Sequence, residues 1–189
     1  MIVKRFFDYL LVMVFAIPMA ITLYPIIALL IRSTSPGPVI FWSKRVGKDN
    51  QLFDMPKFRT MRIDTPAVAT HLISDPSSYL TPIGSFLRRS SLDEIPQIWS
   101  IISGNMSIVG PRPALFNQED LVQLRTECKV STLLPGLTGW AQVNGRDTVS
   151  VREKVSLDYF YMENWSLWLD LKIMVLTVSK MFRDDNVSH

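Results

Sequence analysis

Two adjacent carboxylates, Asp93 and Glu94, stand in the run Ser90-Ser91-Leu92-Asp93-Glu94-Ile95-Pro96-Gln97. Neighbouring side chains on a helix point about 100° apart. Such a pair suits two separate tasks better than the sharing of one proton. One carboxylate can attack an electrophile, and attack on phosphorus gives an acyl phosphate, a form of covalent catalysis. The other can hold a divalent metal, because Mg2+ takes one or two carboxylates and fills its shell with phosphate oxygens and water. A structural reading competes. Ser91 with Glu94 three residues on has the spacing of a capping box, and acidic residues in a first helical turn complement the dipole. Pro96 falls too deep for a helix begun at Ser91 and favours a start nearer Asp93. In either register the carboxylates mark a helix start, where free N–H groups also attract phosphate.

Cations surround this run in sequence. Arg88 and Arg89 precede it, Arg112 stands in Gly110-Pro111-Arg112-Pro113, and Arg146 follows Asn144-Gly145. Lys57 and Arg59 lie on an expected return strand. Guanidinium forks match phosphate oxygens, and a diphosphate carries enough charge to need several. A single arginine is by default a surface charge; several held in Pro/Gly turns shift that balance. The two histidines, His71 and His189, and the single cysteine, Cys128, make a histidine triad or zinc site a poor fit and exclude an internal disulfide framework.

The elements that must position these groups are partly legible. Residues 39–60 read as a hairpin with its turn at residues 47–50, and Pro56 confines the return strand to an edge. Residues 64–80, with Pro66 and Pro76, read as a loop of unassigned role. Leu92, Ile95, Ile98, Trp99 and Ile102 recur at helical spacing and predict a helix over 83–102, stopped near Gly104. Further helices are expected over 118–128, 151–161 and 166–182, the last either core or interfacial with Trp165 and Trp168 at its start. The fold class expected is α+β, mostly α.

Residues 9–31 contain no charge. At 1.5 Å per residue this run just covers a hydrocarbon core of roughly 30 Å. Pro18 and Pro25 lie within it, about two turns apart, so their kinks open on nearly the same side. Lys4 and Arg5 precede it and Arg32 follows it, so a straight span would strand basic residues outside. Both observations favour a helix that enters and leaves on one face, with a straight span as the alternative. The whole chain of 189 residues is 48% hydrophobic and 20% charged, which suits a polar body attached to a bilayer rather than a bundle of spans. Its net charge of +3 fits an anionic surface or phosphate-bearing substrates and is too weak to argue for nucleic acid.

With these residues in view, the chain resembles the bacterial sugar transferases, specifically the monotopic phosphoglycosyl transferases. The matching stretches are Lys57-Phe58-Arg59-Thr60-Met61, Leu92-Asp93-Glu94, Gly110-Pro111-Arg112-Pro113, residues 135–146, Leu157-Asp158-Tyr159 and Leu169-Asp170-Leu171-Lys172. The resemblance covers essentially the whole chain and looks like the minimal catalytic form. It implies a re-entrant membrane helix over residues 1–32, broken at Tyr24-Pro25, and a cytosolic catalytic domain over 33–189, on the cytosolic face of the bacterial inner membrane. It implies Asp93 as nucleophile on a UDP-sugar, release of UMP, and discharge of the phosphosugar onto polyprenyl phosphate. Glu94, with Asp93, would bind Mg2+. Arg88, Arg112 and Arg146 would hold phosphates. Lys57, Arg59, Gln142 and Asp158 would line the site, Asp158 with a structural role as its alternative. The pathway implied is the first membrane step of O-antigen, capsule, exopolysaccharide or glycoprotein glycan synthesis; a homodimer is allowed for. Two rivals stand beside it: an Mg2+-dependent nucleotide-sugar phosphodiesterase that sends water to the intermediate, and a non-catalytic module binding anionic lipids.

Overall fold

The computed structural model describes residues 2–65, 75–145 and 149–182. The apolar N-terminal run forms one helix from Ile2 to Thr34, with a mean hydropathy of 2.4 over its most apolar stretch. It comprises α1 (Ile2–Leu11), a π-helical turn (Val12–Ala16) and α2 (Ile17–Thr34). Pro18 lies in the first turn of α2, where a missing N–H costs least. The backbone stays helical across Tyr24 and Pro25, and its irregular turn lies upstream at Val12–Ala16. π-Turns widen a helix locally and are a recognised origin of bends.

The helix is apolar on two sides. Val12, Ala16, Ile17, Ala20, Leu23, Ile27 and Ile31 recur at helical spacing and pack into a core with Met55, Phe58, Leu87, Ile95, Ile98, Ile101 and Met106. Met13, Phe15, Met19, Ile21, Ile26 and Leu29 face outward. Each end of the helix is tied to the body. Arg5 donates to the Met106 carbonyl at 2.7 Å and the Ile101 carbonyl at 3.1 Å. Buried Asp8 accepts from Ser107 Oγ at 2.8 Å and the Ile108 N–H at 3.2 Å. Beyond the far end, Arg59 donates to the Ser35 carbonyl at 2.9 Å and to that of Pro36.

The hairpin forms as expected. β1 (Ile40–Val46) and β2 (Leu52–Phe58) pair antiparallel from Ile40↔Phe58 to Val46↔Leu52. Asp49 and Asn50 turn the chain with positive φ, a conformation these short polar residues tolerate. β2 is an edge of a three-stranded sheet in which β1 is the central strand, which accommodates Pro56.

The helix expected over 83–102 is three pieces. α3 (Gly84–Arg89) ends, Ser91 turns left-handed at φ 55°, a 3-10 turn runs Leu92–Gln97, and α4 (Ile98–Ile102) follows. The capping box does not form: the Ser91 side chain makes no cap hydrogen bond. Pro96 lacks the donor an α-helix needs there and would crowd the carbonyl four residues back. Apolar spacing of three and four suits both helix types, so the periodicity survived while the helix did not.

β3 (Ser107–Val109) and β5 (Gly136–Thr138) pair in parallel. β4 (Ala114–Leu115) lies between them in sequence and pairs with β1. A Cβ on Gly136 would lie 2.1 Å from the Gly110 nitrogen, and one on Gly139 would lie 2.1 Å from the Gly110 carbonyl oxygen. Only glycine admits this approach. It is why the Gly110 and Gly136 motifs, far apart in sequence, meet.

Helices α5 (Glu119–Glu127), α6 (Trp140–Asn144), α7 (Val151–Glu163) and α8 (Leu167–Phe182) complete the fold. Buried Asp170 on α8 accepts from Lys4 Nζ at 2.7 Å, Tyr161 OH at 2.7 Å and Trp165 Nε1 at 3.1 Å. That joins α7 and α8 to the first turn of α1. The core reading of the last helix holds at Ile173, which is fully buried, while Trp168, Val175 and Val178 are exposed.

Candidate active site

Four segments bring charged groups to one place. Edge strand β2 carries Lys57, the 3-10 turn carries Asp93 and Glu94, the end of α3 carries Arg88, and the loop after β3 carries Arg112. Lys57 Nζ donates to Glu94 Oε1 at 2.7 Å and stands 3.8 Å from Asp93 Oδ2. Arg112 Nη2 reaches the same Glu94 oxygen at 3.5 Å. Arg88 Nε donates to Thr60 Oγ1 at 3.0 Å, which fixes its stem beside Asp93. Three residues per 3-10 turn set successive side chains about 120° apart. The two carboxylates therefore diverge, and one ammonium reaches both.

Their protonation differs. Burial raises the Asp93 pKa above 3.8, Lys57 pulls it back and Glu94 pushes it up again. Burial also pushes Glu94 upward, but Lys57 and Arg112 outweigh it and leave the group at about 2. Glu94 thus stays ionised, while Asp93 is the more basic carboxylate and the better nucleophile of the two.

Asp158 lies apart from the carboxylate pair. It accepts from Arg125 Nε at 3.0 Å and Nη2 at 2.6 Å, and Arg125 Nη1 donates to the Arg112 carbonyl at 2.9 Å. Asp158 therefore acts through Arg125 on the backbone that presents Arg112. Arg59 is buried against the exit of α2 and holds the Ser35 and Pro36 carbonyls. Gln142 reaches the Leu137 carbonyl at 3.5 Å and belongs with the Gly139 crossing. Arg146 lies outside the described residues.

Sequence reasoning missed two arginines. Arg125 sits four residues after buried Leu121 on the inward face of α5, a place where a charge demands a partner. Arg45 donates to the Pro113 carbonyl at 3.3 Å, and burial with the nearby Arg112 charge lowers its pKa to about 10. Its position on a strand facing the site was the available signal.

The donor set fits Mg2+ in one mode. Among the described residues no group of three His, Cys, Asp or Glu side chains could hold a metal. Two carboxylates alone leave most of the shell to phosphate oxygens and water, which is how Mg2+ binds with phosphate substrates.

A profile of the bacterial sugar transferases matches residues 1–184. The chain belongs to the bacterial sugar transferase family. It is 44% identical over 165 residues to the UDP-glucose:undecaprenyl-phosphate glucose-1-phosphate transferase of Escherichia coli (strain K12), an alignment covering 82% of this chain and 35% of that protein. It is 37% identical over 189 residues to an uncharacterised sugar transferase of Bacillus subtilis (strain 168), covering 99% and 91%. With the UDP-N-acetylgalactosamine-undecaprenyl-phosphate N-acetylgalactosaminephosphotransferase of Aeromonas hydrophila it shares 35% over 181 residues, covering 93% and 43%. This family member thus spans about a third of the length of the Escherichia coli relative.

Proposed function

We propose that the chain transfers a sugar 1-phosphate from a UDP-sugar to polyprenyl phosphate and releases UMP. The observation that carries this is buried Asp93, its basicity raised, beside Lys57 and Arg88. Its carboxylate oxygen bonds to the sugar-bearing phosphorus, and the bond from that phosphorus to the bridging oxygen breaks. UMP leaves with the bridging oxygen. A phosphate oxygen of the lipid then bonds to the same phosphorus and the aspartyl–phosphorus bond breaks, which restores the carboxylate. Lys57, Arg88 and Arg112 hold the phosphate oxygens and neutralise charge moving to the leaving group. Arg146 is proposed to join them. Asp93 and Glu94 would hold Mg2+, which would supply further neutralisation of the diphosphate.

We read the N-terminal helix as entering and leaving one leaflet. A straight span would carry its ends to opposite sides, whereas Arg5, Asp8 and Ser35 all bond to the same body. The proposed location is the cytosolic face of the bacterial inner membrane, and the proposed role is the committing membrane step of glycoconjugate synthesis. Intact-protein mass spectrometry with Mg2+ and a panel of UDP-sugars, lipid omitted, tests the chemistry. The expected result is a gain of one phosphosugar, absent in Asp93→Asn and discharged by polyprenyl phosphate. Discharge by water alone would favour a phosphodiesterase. No adduct and no glycolipid with any donor would overturn the reading.

A further inference from the structure

A groove of about 340 Å³ lies between α2, the hairpin and the 3-10 turn with α4. Ala20 and Tyr24 form one wall, Trp42 and Pro56 the second, Pro96 and Trp99 the third. Among the described residues, no charged one lines it. Its size lies within the roughly 300–1,000 Å³ of pockets that enclose small ligands. The walls are stiff: two are prolines, and the Tyr24 ring is held 5.1 Å from that of Phe58.

The groove and the candidate active site share two segments. Pro56 directly precedes Lys57, and Ile95, which also lines the groove, directly follows Glu94. The groove and the site thus meet at the edge of β2, with Trp42 and Pro56 on one face of the hairpin and Lys57 on the other. The remaining wall belongs to the apolar N-terminal helix, so with that helix in the leaflet as proposed above an occupant would arrive from hydrocarbon without crossing water.

We infer that this groove receives the isoprene units nearest the phosphate of a polyprenyl phosphate acceptor. This rests on the transferase reading above. Successive strand residues project to opposite faces, so the acceptor's phosphate passes the edge of β2 to reach the phosphosugar on Asp93. The tail beyond the first units stays in the bilayer. The proline walls and the Tyr24 ring held against Phe58 favour a branched, shape-retaining isoprenoid over a mobile straight acyl chain, and the groove sets which lipid phosphate is aligned with Asp93.

The full chain in vesicles of phosphatidylethanolamine and phosphatidylglycerol is irradiated with a polyprenyl phosphate bearing a diazirine on its first isoprene unit. Label is expected on residues 17–24 and 95–102, suppressed by unlabelled polyprenyl phosphate and not by added phosphatidylglycerol. Label confined elsewhere, or equal competition by phosphatidylglycerol, overturns the inference; the second result makes the groove an ordinary lipid site. In parallel, Ala20→Phe fills the groove. It is expected to slow discharge of the adduct by polyprenyl phosphate about tenfold or more relative to discharge by methyl phosphate, which has no isoprene unit to seat in the groove. An equal effect on both acceptors counts against it. Should Ala20→Phe not fold, Trp99→Ala removes an exposed wall and is expected to lower groove labelling. Wild-type protein that labels in the groove yet yields neither adduct nor glycolipid would retire the transferase reading and leave the lipid site standing.

Discussion

Lys57 is a single ammonium within reach of two carboxylates of different basicity, and this sets how the site responds to pH. As the proposed nucleophile, Asp93 would attack only when ionised. Its pKa is raised chiefly by burial, so adduct formation should decline with acid through a value above the ordinary 3.8. Glu94, at about 2, stays charged across that limb. Lys57→Met removes the charge that lowers Asp93, so the acid limb of the rate of UMP release should move to higher pH, with a rate loss of roughly 10²-fold or more. An unmoved limb would remove Lys57 from this role. Glu94 also carries a stability signature. Its folded pKa lies below its ordinary 4.5, so its contribution is present above that value and is lost as pH falls toward about 2. The shift corresponds to roughly 3 kcal/mol, and Glu94→Gln should flatten unfolding free energy against pH over that window. The acidic pair was singled out by its residue types beside clustered arginines, although its spacing fitted equally well a capping box, which does not form. Arg45 and Arg125 were not, because a lone arginine on a strand or helix is a surface charge until its partners are known.

At the scale of elements, the loop carrying Arg112 is braced twice. Arg125 bridges Asp158 to the Arg112 carbonyl, and Gly110 is clasped between Gly136 and Gly139. Asp158→Ala strands a buried guanidinium and should cost ~3–5 kcal/mol of stability in denaturant titration. Replacing both partners, as Arg125→Met with Asp158→Leu, should recover much of that loss. It should not recover donor binding, because the Arg112 carbonyl still loses its donor. A raised donor KM persisting in the stable double variant marks positioning; a normal KM would make the pair purely structural. Gly136→Ala drives a Cβ onto the Gly110 nitrogen and should destabilise by several kcal/mol, measurable as a lowered Tm. The hairpin, α5, α7 and α8 were legible from pattern within a few residues. The 83–102 segment was misread as one helix because apolar spacing is blind to the left-handed Ser91 and the donor missing at Pro96.

For the whole molecule, an uncharged 23-residue stretch is visible to the eye; where its two ends sit is not, since Arg5 and Asp8 find their partners about a hundred residues away. The docked ends make a topological prediction. Cysteines placed at Ile2 and at Ser33, both exposed, should be labelled by a membrane-impermeant maleimide from the same side of inverted vesicles. Labelling from opposite sides would establish a span. The outward apolar face of the helix adds that salt washing should not release the chain from membranes and detergent should.

The inward face of the same helix has a consequence for biosynthesis. Val12, Ile27 and Ile31 are core residues, packed with the Leu87, Ile95 and Ile98 that frame the acidic turn. A fragment begun at residue 33 would leave Met55 and Phe58 without the helix that packs on them. The helix precedes in sequence the partners it packs against, so it is made before most of them. With the helix lodged in lipid as proposed, the bilayer would be a holding site for part of the core, and the polar body would mature against a surface already in place.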